Sequence, residues 1–248
     1  MNYFNLIFSN KSILRIFQKE IFKEFKIEGD VIEFGASSEI YKNFCNSNSE
    51  NCNILQTMQT FKRAAVFTDI HFGNKGNSRQ FNQDCERFVD WFIKDAKSKN
   101  CETFIFMGDW HHHRATINID TLGYSLRCIE KLANAFEKNF FIVGNHDLYY
   151  KDSRTVNSVE FAKHVNKLNL ILEPLYFEDC AFIPWLVSEE WKQLKDMPAK
   201  PYVFGHFELP HFLMNVMVSM PDTNELRAED LSHHGFGFSG NFHKRQVK

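Results

Sequence analysis

The sequence lacks an excess of charge. Its 29 Lys and Arg residues against 31 Asp and Glu leave a formal net charge of −2 over 248 residues. A polyanion would therefore have to be held by a local basic face, such as Lys244, Arg245 and Lys248 or Lys62 and Arg63, and not by the surface as a whole. There is no apolar run of about 18 residues, so no helical membrane span is expected. The N-terminus has no short apolar region ending in a small-residue cleavage site, which argues against a secretory signal. Cys45, Cys52, Cys85, Cys101, Cys128 and Cys180 show no C-x-x-C spacing. That usage fits reduced thiols in a cytoplasm better than a disulfide framework or a zinc finger. Internal repeats and low-complexity tracts are missing. Gly29 to Ser37, read as a strand and turn, also lacks the G-x-G-x-G pattern that a nucleotide-binding loop would need.

What is present is a series of five short apolar runs, each leading into side chains that bind metal ions. They read AAVFTDIH (Asp69, His71), TFIFMGD (Asp109), FFIVGNHD (Asn145, His146, Asp147), PYVFGH (His206) and GFGFSGNFH (His243). Such runs, rich in Val, Ile and Phe and bounded by Gly, read as buried strands. Ligands just past strand ends converge at one edge of a sheet, where α/β folds hold their sites. Taken singly, a buried His is more often a hydrogen-bonded core residue than a ligand. The ordered set of Asp, His, Asp, Asn, His and His is hard to explain by packing. No thiolate falls within the five motifs, and oxygen with imidazole donors suits manganese, iron or zinc.

Asp69-x-His71, Gly108-Asp109 followed by Arg114, Gly144-Asn145-His146-Asp147, Gly205-His206 and Gly240-x-x-His243 resemble the calcineurin-like metallophosphoesterases. Within them the chain resembles the SbcD-type DNA nucleases, including the small subunits of phage recombination endonucleases; GDWHHHR, YVFGHFELP and FSGNFHKRQ carry that narrower likeness. The resemblance runs from about Lys62 to Lys248. It implies an α/β fold, a four-layer αββα sandwich, and a metal-dependent hydrolase of phosphodiester bonds in DNA acting in recombination or repair. It also implies two divalent cations, manganese first, with iron, zinc or magnesium as alternatives. Asp109 would bridge the two; Asp69, His71 and His243 would complete the first site, and Asn145 and His206 the second. His146 would act on the phosphate, with Asp147 orienting its ring. Either His111 or His112 would position the DNA phosphate, and Arg114 would bind phosphate or brace the loop. DNA, a homodimer mate and an SbcC-type ATPase subunit are the partners implied, in the cytoplasm, or the host cytoplasm for a viral chain.

Two departures bear on this reading. The family ends its last strand with Gly-His-x-His, whereas this chain has Gly240-Asn241-Phe242-His243, so Asn241 takes the place of a second-site ligand and its amide is the weaker donor. The chain carries only five residues past His243, without the family's capping and ATPase-binding regions, which weakens the expectation of an ATPase contact. A non-catalytic module that keeps the fold, or a phosphatase or phosphodiesterase of small substrates, remains the alternative.

Residues 58–248 read as the phosphoesterase domain and 1–57 as an α/β extension. The extension holds an amphipathic helix over Ser12–Phe25 and a polar linker over Cys45–Asn53. Beyond Lys62, apolar periodicity predicts helices over Arg79–Lys97 and Thr121–Lys138, the second capped by Asp120 or Thr121, each returning the chain to a parallel sheet. Ile183 to Trp185 and Tyr202 to Phe204 read as strands of a second sheet.

Overall fold

The computed structural model describes residues 30–34, 38–40, 60–214, 218–223, 225–243 and 246–247. The helix read over Ser12–Phe25, the linker Cys45–Asn53 and the basic residues Lys244, Arg245 and Lys248 lie outside them.

Two sheets are stacked. The first has the order β1 (Asp30–Phe34), β3 (Arg63–Phe67), β4 (Thr103–Met107), β5 (Lys138–Ile142) and β8 (Leu168–Ile171), and every neighbouring pair is parallel. The second has the order β13 (Gln246–Val247), β2 (Ser38–Ile40), β12 (Phe236–Ser239), β11 (Tyr202–Gly205), β10 (Cys180–Ile183) and β9 (Leu175–Phe177). Its central strands β10, β11 and β12 are parallel to one another. A separate hairpin joins β6 (Leu148–Tyr150) to β7 (Ser153–Asn157).

The strand sequences explain the layers. A parallel strand covered on both faces is apolar throughout, and all five residues of β4 are buried. Side chains alternate across the pleat. Ala65, Phe67, Phe104, Phe106 and Phe141 therefore join the core beneath the helices. Ala64, Val66, Ile105, Phe140 and Ile142 face the second sheet, where Phe140 stacks on Phe182 at 4.1 Å between ring centroids. The Arg79–Ser98 helix presents Cys85, Phe88, Val89, Phe92 and Ala96 to the first sheet. The second long helix spans Ile119–Ala135 and is capped by Asn118, whose side chain accepts from the Asp120 and Thr121 amides. The cap therefore lies earlier than Asp120 or Thr121, and the helix stops before Lys138 because that residue already starts β5. The outer face of the second sheet is covered by Leu194, Phe207, Leu209, Phe212, Leu226 and Leu231. These come from loops, one short helix and a 3-10 turn, so the fourth layer is mostly irregular. Among the described residues no helix is long and apolar enough to cross a membrane, and Cys85, Cys101, Cys128 and Cys180 are buried free thiols.

This topology places the site. β3, β4 and β5 of one sheet and β11 and β12 of the other all end at the same edge, and the motif residues follow those ends. Lys62 and Arg63 stand at the opposite end of β3, where Arg63 donates to the Lys99 carbonyl at 2.9 Å.

Candidate active site and metal centre

The turns after the strands are tightly bent. Asp69 (φ 56), His71 (φ 52), Asp109 (φ 64) and Asn241 (φ 78) all occupy the left-handed region, which non-glycine residues hold only when the surroundings over-determine it. Three backbone bonds zip the first two turns together: Asp69 N to Gly108 O at 2.9 Å, His71 N to Asp109 O at 3.1 Å and Phe72 N to Trp110 O at 2.7 Å. Gly144 passes so close that a Cβ there would lie 2.3 Å from the Asp109 amide nitrogen and 2.4 Å from its Oδ1. Only glycine fits at that position.

Around Asp109 the side chains fall into two groups. On one side His71 Nε2 lies 3.5 Å from Asp109 Oδ2, 3.8 Å from Asp69 Oδ1 and 3.4 Å from His243 Nε2, and His243 Nε2 is 3.4 Å from Asp69 Oδ1. On the other, His206 Nε2 lies 3.5 Å from Asp109 Oδ1 and 3.1 Å from Asn145 Oδ1. His206 Nδ1 donates to the Met107 carbonyl at 2.7 Å, so in the neutral ring Nε2 carries the lone pair that faces Asp109 and Asn145. Acceptors thus face acceptors. Asp69 Oδ1 is buried with no hydrogen-bond partner, and the Asn145 oxygen points only at acceptors. Reversing that amide would let its nitrogen donate to Asp109 and His206 while its oxygen accepts from Arg114 Nη2 at 3.2 Å. Buried acceptors without donors are costly. A cation among them removes the mismatch, so the donor set fits divalent metal on both sides of Asp109.

Burial lowers His71, His206 and His146 below the ordinary histidine value, which leaves neutral imidazoles of the kind that coordinate metal. Burial pushes Asp109 well up, helped by the charges of Asp69 and Asp147. Burial also works to raise Asp69, but the neighbouring His243 imidazole prevails and holds it below the usual carboxylate range, while the Asp69 carboxylate in turn raises His243.

The structure brings Asp69, His71, Asp109, Asn145, His206 and His243 together as one cluster, with His146 beside it. His146 N donates to Asp109 Oδ1 at 2.8 Å, and its ring centroid is 4.9 Å from that of His71. Of the alternatives His111 and His112, only His112 faces the cluster: it stacks on His146 at 5.6 Å and lies 5.4 Å from His71, ring to ring. His111 is turned into the core. Its ring nitrogens each meet a serine hydroxyl, Ser158 and Ser125, at 2.9 Å, and burial lowers its pKa to about 3. Asp147 does not orient the His146 ring. The His146 Nδ1 partner is the His112 carbonyl at 2.9 Å, while the buried Asp147 carboxylate accepts from the Asp109, Trp110, His111 and Gly144 amides at 2.9–3.0 Å. It ties two ligand loops together. Arg114 lies next to the Asn145 amide. Asn241 donates from its backbone to Asp69 Oδ2 at 3.2 Å and from its amide to the Phe207 carbonyl at 3.1 Å.

Sequence reasoning passed over Thr68, whose hydroxyl donates to Asp69 Oδ2 at 2.6 Å. Its place one residue before the ligand was the available signal. Ser125 was also passed over: it accepts from Trp110 Nε1 at 2.7 Å and holds His111, yet it looks like any small residue on the buried face of a helix.

A model of the calcineurin-like phosphoesterase family matches residues 62–229. The chain is also 26% identical over 152 residues to "Exonuclease subunit 1" of Enterobacteria phage T4, a match covering 58% of this chain and 45% of that protein. The chain thus spans less than half the length of that relative. It belongs to the calcineurin-like phosphoesterase family, a family that binds divalent metal and hydrolyses phosphate esters.

Proposed function

We propose that this calcineurin-like phosphoesterase is a metal-dependent nuclease that hydrolyses phosphodiester bonds in DNA. The observation that carries the reading is the pair of ligand clusters sharing Asp109, one with Asp69, His71 and His243, the other with Asn145 and His206. The phage exonuclease relative supports DNA as the substrate. Bound in the two clusters, divalent cations supply charge neutralisation of the phosphate and a nucleophilic water at neutral pH.

The chain's own groups do the rest. Asp109 holds both clusters in register through its two oxygens. With the Asn145 oxygen turned toward Asp109 and His206, the amide offers no acceptor to Arg114, whose guanidinium is then available to a phosphate oxygen. His146 Nδ1 donates to the His112 carbonyl, which fixes the ring and leaves Nε2 to donate to the leaving oxygen when the imidazole is protonated. An anionic phosphate beside it favours that charged form against the desolvation that lowers it. His112, stacked against His146, lines the same position.

Hydrolysis of single- and double-stranded DNA, bis-p-nitrophenyl phosphate and p-nitrophenyl phosphate with and without manganese tests the reading. Manganese-dependent cleavage of DNA and of the diester, with little action on the monoester, is expected. Cleavage of the monoester alone would overturn it.

A further inference from the structure

We propose that a cleft beside His206 is a nucleobase subsite, taking the base of the nucleotide whose phosphate lies at the metal clusters. The proposal rests on the nuclease reading above for that phosphate's position. The cleft is lined in part by Trp185, Trp191, Leu226, His206, Glu208 and Glu225, a mixture of apolar walls and a few polar groups of the kind found at small-molecule sites. It opens directly onto the second cluster: the Trp185 ring centroid is 6.1 Å from that of His206.

Trp185 is a fixed platform. Its backbone nitrogen donates to the Val143 carbonyl at 2.8 Å. Its carbonyl accepts from Arg154 Nη1 at 2.7 Å, and its indole nitrogen donates to the Lys151 carbonyl at 3.4 Å. Arg154 is itself clamped by Glu190 and Glu173. A held indole costs little ordering when a flat ring stacks on it, and such stacking is how proteins hold unpaired bases.

The polar walls narrow the ligand class. Glu208 and Glu225 both line the cleft, as acceptors when ionised. Two carboxylates repel a second phosphate, so the strand's backbone does not run here. They accept instead from amino groups on the Watson–Crick edges of cytosine, adenine and guanine. Thymine offers a single ring N–H and a carbonyl on each side of it, so it is the base the cleft holds least well. A free ammonium ligand fits less well than a base, because Lys195 and Lys192 Nζ already lie 5.2 and 5.7 Å from the Trp191 ring centroid and occupy the aromatic face that a cation would seek.

The test uses the full chain without metal, titrated calorimetrically with deoxycytidine, deoxyadenosine, thymidine and choline. Deoxycytidine and deoxyadenosine should bind more tightly than thymidine. Trp185→Ala should weaken all three nucleosides about tenfold. Because Trp185 could matter to folding, Glu208→Gln and Glu225→Gln, at exposed positions, serve as second variants and should erase the preference over thymidine while leaving Tm unchanged. Nucleoside binding with these sensitivities, in a protein that fails to cleave DNA, would uphold the subsite and overturn the nuclease reading. DNA cleavage in a protein whose nucleoside affinities are absent, or identical in wild type and the two Gln variants, would overturn the subsite alone. Choline binding tighter than any nucleoside would also overturn it.

Discussion

Asp109 is the residue on which the proposed chemistry turns, because each of its carboxylate oxygens faces a different cluster. Asp109→Asn replaces one of those oxygens with a donor that no cation accepts, so manganese-dependent hydrolysis should fall to background while the circular dichroism and Tm of the metal-free protein stay near wild type; full activity in a folded variant would rule out the bridging role. His146 should separate from the ligands in its effect. His146→Ala is expected to lower kcat by about 10²–10⁴, the usual contribution of a positioned acid, with two manganese ions still bound in calorimetry. Loss of one ion would instead make His146 a ligand. These positions were legible because side chains able to bind metal recur in order just past the strand ends. The His111/His112 alternative was not. Phe72 forms a parallel bridge with His111, so the extended chain there points successive side chains to opposite sides, His111 toward Ser125 and His112 toward His146. Which side is which depends on a register between two loops, and that is fixed by tertiary pairing. Asp147 was misread for a related reason: a carboxylate one residue from His146 suggests a partner for its ring, whereas four backbone amides claim it first.

Elements carry that wiring into stability. His111 joins the loop after β4 to the Ile119–Ala135 helix through Ser125 and to the segment after β7 through Ser158. Its pKa is depressed to about 3 from the ordinary 6.5 by burial. Between those values the unfolded chain binds a proton that the folded chain does not, so this residue's contribution is full above pH 6.5 and is lost as pH falls toward 3. From pH 7 to pH 4.5 the loss is on the order of 2–3 kcal/mol. His111→Gln, which can still bond a serine hydroxyl but cannot titrate, should therefore lose less stability than wild type over that interval by about that amount, even if it is less stable at pH 7. Urea unfolding of the two metal-free proteins at both pH values measures the difference, in which every other titrating group cancels to first order. Parallel pH dependences would show that His111 is not the buried neutral group described. The long helices themselves were readable from their period: Phe88, Val89 and Phe92 face the sheet where expected. Their ends were less so, since Asn118 outcompeted Asp120 and Thr121 as cap by accepting from both of their amides.

At the scale of the whole molecule, the order of strands changes what a truncation should do. The sequence places residues 1–57 outside the phosphoesterase pattern, because they hold none of its motifs. In the structure, however, β1 lies parallel beside β3, Asp30 opposite Arg63 through Phe34 opposite Phe67. Only residues 35–37 separate it from β2, which pairs with β12, Ser38 opposite Ser239 and Ile40 opposite Gly237. β1 thus ends opposite Phe67 and β2 starts opposite Ser239, beside the turns that deliver Asp69 and His243. A two-strand contribution of this kind leaves little trace in sequence: VIEF is a short apolar run with no ligand after it, and its partner lies beyond a polar stretch. Removing it would turn β3 and β12 into edges, with β3 otherwise almost wholly buried, and unpaired edges lower stability and invite association. A chain beginning at Met58 keeps every residue of both clusters. We therefore expect a lower Tm and a greater tendency to self-associate, together with a selective weakening of the cation held by Asp69, His71 and His243. The cation held by Asn145 and His206, carried on β5 and β11, should be less affected. Thermal denaturation, light scattering and a manganese titration resolving two sites check each part. An unchanged Tm with two wild-type affinities would show that the domain from Met58 onward is self-sufficient and that the β1 and β2 pairings contribute nothing to the site.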